Sequence, residues 1–322
     1  MINCQPTQIL LRKQATIHCI DCSKTKNLNV TMTKQKLTYS AIITVLILFS
    51  YLIFKGMNTA QNNSKNNETT IINSGFNTLV WFDEFNGHGV IDSNKWFHQT
   101  QLPPGGNWYG GLIQHYTNQK ANSYLKNGFL NLVAKKEIFD DQGEVKQYTS
   151  ARLNSKFTFT YGRIEVRAKL PTGIGTWPAI WMLSKNINED GAYWDNQGFG
   201  TVNWPICGEI DILEHWGKNQ NYVSSALHNG SSYGDKVKNL GGQKVSNASN
   251  KFHLYALEWT KDKMIFSING IEHFIYEPSI KNSETWPYDS DYYMILNIAI
   301  EPDIDPEFTE SVMEVDYIRV YQ

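Results

Sequence analysis

The chain has 322 residues and a formal net charge of −2, with 41% hydrophobic and 19% charged residues, a composition typical of globular proteins and unlike that of disordered or collagen-like chains. The charge is unevenly distributed, because residues 1–36 carry six basic residues and one acidic residue (+5), which leaves 23 basic and 30 acidic residues (−7) for the rest. This mildly acidic globular part argues against a nucleic-acid ligand, since phosphate backbones are bound by clustered Lys and Arg.

An uncharged apolar run occupies residues 37–54 and is flanked by lysines. Its 18 residues approach the roughly 20 that a helix needs to cross a bilayer. Two interpretations stay open: an uncleaved membrane anchor, or the apolar part of a signal peptide that starts at Met32, in which case the basic segment 1–36 is untranslated before Met32. Under both interpretations we expect the following domain to be exported, either held at the cell surface or in the periplasm, or secreted.

The sequence changes character twice after this run. Residues 55–75 are rich in Asn, Ser and Thr with few apolar side chains, which predicts a flexible tether. Residues 76–322 contain short segments of alternating apolar and polar residues between Gly, Asn, Asp and Pro; this pattern predicts strands of one all-β sandwich or barrel. Cys207 is the only cysteine of this domain, so its stability is expected to come from core packing rather than from a disulfide.

Three acids lie close together in the segment 208–216: Glu209, Asp211 and Glu214. On a regular strand Glu209 and Asp211 share one face, whereas Glu214 points to the other. A bulge at residues 212–213 would add one residue and bring Glu214 round to the face of the other two. Carboxylates on one face repel each other and should separate in pKa, which suits a glycosidase that needs one ionised nucleophile and one protonated acid.

Two other interpretations of the three acids are a solvated acidic strand and a cation site made of hard oxygens. The surroundings favour a sugar site, because aromatic rings can stack on the flat apolar faces of sugar rings, although core packing would account for some of them. Five tryptophans surround the acids in the sequence: Trp177, Trp181, Trp194, Trp204 and Trp216.

Five segments, taken together and in chain order, resemble glycoside hydrolase family 16, with the pattern of its bacterial laminarinases. They are residues 148–153, 161–171, 175–183, 209–214 and 315–321. The resemblance spans residues 79–322 and implies a β-jelly-roll of two curved antiparallel sheets with a concave substrate cleft. It also implies endo-hydrolysis of β-glucans with retained configuration, no cofactor for the chemistry, and a monomeric catalytic domain.

By motif position, Glu209 resembles the nucleophile, Glu214 the general acid/base, and Asp211 the carboxylate between them. The bulged motif is that of the laminarinases rather than the lichenases and favours β-1,3-glucan, but carrageenan and agar hydrolases share it. By the same resemblance, further residues expected to contact the polysaccharide are Trp177, Trp181, Arg152, Asn107 and His228, to which Trp204 is added because it lies close to the acids in the sequence. Alternatively, His228 is a core histidine with its hydrogen bonds satisfied. Residues 110–116 lack the acidic residue that laminarinases usually carry there, which removes one expected cleft contact.

A structural calcium ion is also implied by the resemblance. Its ligands would correspond to Glu84, the backbone of Gly128, and Asp316, and oxygen ligands suit calcium. Alternatively, Glu84 is a surface-turn acid and Asp316 a solvent-facing strand residue.

The leading hypothesis for function is therefore an exported endo-β-1,3-glucanase acting on laminarin-type polymers. A second hypothesis keeps the fold and changes the polymer to mixed-linkage β-glucan or an algal galactan. A third is a non-catalytic glycan-binding module at the cell surface; lectin-like relatives lose one or more of the acids, whereas this chain retains all three.

Overall fold

A computed structural model gives the fold of residues 75–322. The basic segment 1–36, the apolar run 37–54 and the tether, apart from its last residue, lie outside the described residues, so the predictions made for them stay predictions. Within residues 75–322, no helix combines the length and the apolar character needed to span a membrane.

Strands dominate the described part of the chain. They are β1 (Leu79–Asp83), β2 (Trp96–His98), β3 (His115–Tyr116), β4 (Ser123–Lys126), β5 (Phe129–Asp141), β6 (Glu144–Ser150), β7 (Arg152–Phe159), β8 (Gly162–Lys169), β9 (Thr176–Ser184), β10 (Glu209–Glu214), β11 (Tyr222–His228), β12 (Leu240–Lys244), β13 (His253–Trp259), β14 (Met264–Ile268), β15 (Ile271–Tyr276), β16 (Tyr292–Ile300) and β17 (Glu310–Tyr321). The helical segments there are one short α-helix, α1 (Tyr193–Asn196), and two single 3₁₀ turns, Gly217–Asn219 and Gly234–Lys236.

The strands form two sheets. The larger has ten strands, with the order β15-β14-β13-β8-β17-β5-β6-β3, while β1 pairs with β17 and β4 pairs with β5. The smaller has seven strands in the order β12-β11-β10-β9-β16-β7-β2. The pairs are antiparallel except for β3 with β6. The predicted fold class, an all-β sandwich of two antiparallel sheets, is confirmed.

Alternating side chains from both sheets build the main core. In β8, Ile164, Val166 and Ala168 are fully buried, while the residues between them are partly exposed, as expected for a strand with one solvated face. On the smaller sheet, Met182 of β9 and Leu296 of β16 belong to the same core cluster. Each fully buried aliphatic side chain of this size contributes about 1.5–3 kcal/mol of transfer free energy.

The second face of the smaller sheet is also covered in places. All nine residues of β16 are buried, because alternate side chains enter two satellite clusters outside the main core. Ala299 belongs to one, together with Trp108 and the partly buried Trp177; Ile295 belongs to the other, together with the partly buried Trp181. Loops therefore build walls on this face, and the strand with the three acids lies beside β9 in the same sheet.

Candidate active site

Strand β10 carries the three acids, and its pairing with the neighbouring strands is irregular. Opposite β9, Asp211 and Leu213 pair with consecutive residues, so that Ile212 is the extra residue; the pairing with β11 shifts over the same segment. The bulge predicted from the sequence is therefore present. Ile212 and Leu213 both lie in the main core, and the extra residue brings Glu214 to the side chains of Glu209 and Asp211.

Two tryptophan side chains donate hydrogen bonds to the two glutamates. Trp204 Nε1 donates to Glu209 Oε2 at 2.7 Å, and Trp177 Nε1 donates to Glu214 Oε1 at 3.1 Å. Both glutamates are partly buried, whereas Asp211 between them is only 3% exposed. Each outer carboxyl group thus has a fixed N–H donor, which restricts its rotation and favours negative charge on its bonded oxygen.

His228, which pairs with Glu209 across β10 and β11, connects the acids to the next loop. Its Nδ1 accepts the backbone N–H of Gly234 at 3.1 Å, so in the neutral ring the proton belongs on Nε2. That Nε2 lies 3.3 Å from Asp211 Oδ2 and 3.8 Å from Glu209 Oε1. The three side chains present donor atoms within 4.8 Å of one another, an arrangement in which a cation could also bind.

Burial raises the pKa of all three acids. For Glu209, desolvation and then the charge of Asp211 raise the pKa from its ordinary value of 4.5 to about 8, while His228 and the Trp204 N–H oppose the shift. Desolvation also raises the pKa of Asp211. Desolvation, followed by the charges of Asp211 and Glu209, holds the pKa of Glu214 well above its usual range. The three acids therefore cannot all be ionised near neutral pH, and the charges of both neighbouring acids favour the protonated form of Glu214.

Aromatic side chains border the acids on β9 and beyond it. Trp177 stacks on Trp216 with ring centroids 5.2 Å apart, which fixes the indole that reaches Glu214. Trp181 pairs with Asp211 across β9 and β10 and donates its Nε1 hydrogen to Asn297 Oδ1 at 2.7 Å. Both indoles have one polar edge tied down, and both remain partly exposed.

Arg152 is held in place behind Trp181. Its guanidinium carbon lies 4.9 Å from the ring centroid of Trp181 and 5.2 Å from that of Trp108. Its Nη2 donates to both carboxylate oxygens of Glu189, at 2.8 and 3.1 Å, and both residues are almost fully buried. Arg152 is thus a rigid cation within the wall of this face, and its Nε is a buried donor without a hydrogen-bond partner among the described residues.

The structure brings most of the predicted site residues together. Trp177, Trp204 and His228 contact the acids directly, and Trp181 and Arg152 form a stacked pair beside them. Asn107 lies on a loop next to Trp108, and its Oδ1 accepts a hydrogen bond from Lys146 Nζ at 2.7 Å.

Other residues that complete the site were not predicted from the sequence. Glu189 neutralises Arg152, Asn297 orients Trp181, and Lys146 holds Asn107. These partners are 37, 116 and 39 residues apart in the chain, respectively. No local spacing in the sequence signals such contacts.

Both carboxylates predicted to bind calcium are paired with arginines. Arg319 Nε and Nη2 donate to the two carboxylate oxygens of Glu84 at 2.7 and 2.9 Å, and Arg167 pairs with Asp316. Gly128 adopts a left-handed conformation with φ of 79° in the turn between β4 and β5. The oxygen donors suit calcium, but in this arrangement both carboxylates are already neutralised, so the set does not fit the ion without release of the arginines.

Comparison with known proteins identifies the same family by its family model and by an individual relative. The model of the glycosyl hydrolases family 16 matches residues 113–319. The beta-glucanase of Rhodothermus marinus is 35% identical over 260 residues, which cover 76% of this chain and 85% of that protein.

Two solved structures agree with the described fold. That of LamA from Zobellia galactanivorans in complex with laminaritriose and laminaritetraose has a TM-score of 0.70 and 42% identity, covering 77% of this chain and all of that one. That of the laminarinase from Rhodothermus marinus has a TM-score of 0.65 and 34% identity, covering 76% of this chain and 97% of that one.

The raised pKa of Glu209 predicts a pH-dependent cost to stability. Between pH 4.5, where this group deprotonates in the unfolded chain, and about pH 8, where it does so in the folded chain, the folded state holds one more proton, so the free energy of unfolding falls as pH rises. Glu209→Gln removes this loss. We expect the variant to match the wild type near pH 4 and to exceed it by up to about 4 kcal/mol near pH 8, as measured by urea unfolding at both values.

Glu277→Gln, at an exposed position, is the matched control because it removes the same formal charge outside the cluster. A Glu209→Gln variant with the same pH dependence as the wild type would show that burial imposes no ionisation cost at this position.

Proposed function

This chain belongs to glycosyl hydrolase family 16, and from that premise we propose that it hydrolyses internal β-1,3-glucosidic bonds of laminarin-type glucans with retention of configuration. The observation that carries the proposal is the bulged strand β10, on which Glu209, Asp211 and Glu214 are gathered between two indole N–H donors. Its relatives support the linkage, since they include a laminarinase and a protein solved with laminaritriose and laminaritetraose.

In the first step, Glu209 in its ionised form, the minor form below its pKa of about 8, attacks the anomeric carbon and forms a glycosyl ester, while Glu214 donates its proton to the leaving glycosidic oxygen. The Trp204 N–H and the nearby His228 stabilise negative charge on Glu209. The high pKa of Glu214, due to burial and to the two neighbouring acids, keeps a proton available for the leaving group.

In the second step, the Glu214 carboxylate removes a proton from a water molecule as its oxygen attacks the anomeric carbon from the face that the leaving group vacated. The ester bond to Glu209 breaks, and its carboxylate is regenerated. Two inversions give net retention. Loss of the Glu209 charge in the ester removes one of the two charges that raise the pKa of Glu214, which favours its change from acid to base.

Asp211 orients the nucleophile in this proposal. It is buried between the two glutamates and lies 3.3 Å from His228 Nε2, whose other ring nitrogen is held by the Gly234 backbone. The same His228 nitrogen lies 3.8 Å from Glu209 Oε1, so Asp211 and His228 both lie beside the nucleophile. Asp211 therefore limits the rotation of Glu209 and adjusts its proton affinity, without bonding to the sugar carbon itself.

The aromatic walls provide the binding surface for the polysaccharide. The proposed contacts are Trp177, Trp181, Arg152, Asn107, His228 and Trp204. Trp204 is 41% exposed while its N–H remains bonded to Glu209, so its ring can pack on a sugar next to the reacting carbon. Trp181 offers an aromatic face for sugars farther from the cut, and Arg152 lies 4.9 Å behind that ring as a buried cation.

The roles of the two glutamates are testable with azide as an external nucleophile on an activated aryl β-glucoside. Glu209→Ala and Glu214→Ala should each lower kcat on laminarin by at least about 10²–10⁴-fold. With azide, Glu209→Ala should yield the α-glycosyl azide by a single inversion, and Glu214→Ala the β-glycosyl azide from the intact glycosyl ester. The two anomers are distinguished by proton NMR.

Glu277→Gln serves again as a control and should retain activity. If the two variants gave the opposite anomers of the azide, Glu214 would be the nucleophile and Glu209 the acid/base. Full activity of either alanine variant would exclude the mechanism.

The alternative substrates are separated by the products formed from a panel of polymers. A product time course on laminarin, mixed-linkage β-glucan, agar and carrageenan should show rapid release of laminari-oligosaccharides of several lengths from laminarin. Preferential cleavage of a galactan or of mixed-linkage glucan would show that this polymer, and not laminarin, is the substrate. Measurable binding to laminarin without turnover would instead support the non-catalytic module.

We propose that residues 37–54 export the domain, either as an uncleaved anchor or as part of a signal peptide, with the domain acting as a monomer. Carbonate-resistant membrane association of the full chain would identify an anchor. Release into the medium with a new N-terminus after residue 54 would identify a signal peptide. Full-length protein in the cytoplasm would exclude export.

Calcium binding through Glu84, the Gly128 backbone and Asp316 stays a separate proposal, because it requires Arg319 and Arg167 to release the two carboxylates. If it occurs, calcium at a hundredfold excess over its Kd should stabilise the fold by about 2.7 kcal/mol relative to EDTA. Asp316→Asn should abolish the increase. Thermal unfolding with and without calcium measures this, and equal midpoints in wild-type protein would exclude the site.

A further inference from the structure

Residues 103–112, between β2 and β3, form a loop that we call the cleft loop. Its glycines give its backbone high conformational freedom. Four of its glycines adopt positive φ values: Gly105 (97°), Gly106 (79°), Gly110 (83°) and Gly111 (73°). Glycine loses more conformational entropy on ordering than any other residue. Contacts from elsewhere in the fold must therefore compensate for this loss if the loop is to hold one conformation.

These contacts come from the hairpin of β5 and β6, which belongs to the larger sheet. Lys146 Nζ donates to Asn107 Oδ1 at 2.7 Å. At the turn of the hairpin, Gln142 Oε1 accepts the backbone N–H of Leu102 at 2.8 Å, and a Cβ on Gly106 would overlap the Glu144 side chain. The hairpin thus meets the loop and the residue before it at three points, of which Lys146 provides the only charged donor.

The bond from Lys146 also determines what Asn107 can offer to a ligand. Lys146 is 7% exposed, and a buried ammonium group requires a hydrogen-bond acceptor. Because an ammonium group can only donate, the amide atom that it contacts must be Oδ1. The Nδ2 group of Asn107, whose residue is exposed, is then oriented away from that bond as a donor.

The cleft loop is connected to the proposed catalytic acid, Glu214, through one hydrophobic cluster. Trp108, next to Asn107, is 2% exposed and lies 4.7 Å from the ring of Tyr116 and 5.2 Å from the guanidinium of Arg152. Trp177 packs against the same hydrophobic cluster and donates to Glu214. A displacement of the loop would therefore disturb the wall beside Arg152 before it reached the acids.

We infer that Lys146 is a positioning residue that holds the cleft loop and presents Asn107 Nδ2 as a hydrogen-bond donor to an oxygen atom of the bound saccharide. The inference rests on the proposed function, because it takes a glycan as the ligand. It assigns to Lys146, a residue of the opposite sheet, a part in substrate affinity and not in bond cleavage.

Two variants of the full chain separate the holding of the loop from the donation to the sugar. Lys146→Met removes the ammonium group and keeps the aliphatic chain. Asn107→Asp keeps an acceptor for Lys146 but removes the amide donor. The control is Lys126→Met, at an exposed lysine of β4. Hydrogen exchange of residues 103–112 reports the loop, and KM, kcat and the pH profile on laminari-oligosaccharides report the site.

We expect Lys146→Met to speed exchange in the cleft loop and to raise KM about 10-fold, with kcat changed by less than about twofold and an unaltered pH profile. Asn107→Asp should raise KM similarly while exchange stays at the wild-type rate. The double variant should be no worse than Lys146→Met alone, because the two residues act through one contact.

Unchanged exchange in Lys146→Met would exclude the holding role, and a wild-type KM in Asn107→Asp would exclude the donor. If Lys146→Met fails to fold, Asn107→Asp still tests whether Asn107 Nδ2 donates to the saccharide. The holding role of Lys146 is then tested by the hydrogen-exchange rate of residues 103–112 in Lys146→Arg, which keeps the charge. If the wild-type chain cleaves no glucan, the proposed function fails while the exchange measurements still test the anchoring of the loop.

Discussion

The extra residue in β10 is the constraint on which the site depends. A regular strand would send Glu214 into the main core or move the aliphatic residues out of it, because side chains alternate between faces. With Ile212 inserted, Ile212 and Leu213 both enter the core, and Glu214 joins Glu209 and Asp211. Hydrophobic packing therefore holds one face of the strand, while the acids are gathered on the other. The free energy gained by burying the apolar face offsets the repulsion between the acids.

The acids in turn determine what their neighbours must be. Each buried carboxyl group needs a donor or a proton. Two indole N–H donors come from different parts of the chain, Trp177 from β9 and Trp204 from the loop before β10, while the ring of His228 from β11 lies 3.3 Å from Asp211. Both donors are indoles, so the groups that stabilise the glutamates also provide flat surfaces for a sugar chain. This dual use explains why indole N–H groups, rather than lysines, contact both glutamates.

A second layer supports these aromatic residues. Trp177 rests on Trp216, and Trp181 lies between Asn297 and Arg152. The buried pair of Arg152 with Glu189 brings a cation close to the cleft without leaving an unpaired charge, which would be costly in a region of low dielectric constant. The walls are thus rigid in their polar contacts, even where they are formed by loops.

Much of this was accessible from the sequence because it follows from local periodicity. Alternation along segments such as β8 predicts strands, and the spacing of Glu209, Asp211 and Glu214 requires a bulge if the three are to share a face. The clustering of tryptophans marks the site but not their roles: Trp108 is fully buried in a wall, whereas Trp204 is exposed. Which tryptophan faces the cleft depends on loop conformation, which no local pattern encodes.

Side-chain alternation is a property of a single strand, so the all-β class, the strand with the acids and its bulge could be predicted from the sequence. The folded structure selected the distant residues that complete the site: Glu189 for Arg152, Asn297 for Trp181, and Lys146 for Asn107. It also decided that Glu84 and Asp316 contact arginines. Hydrogen bonds and ion pairs act over a few ångströms in space, and only the packing of sheets and loops brings residues so far apart in the chain within that distance.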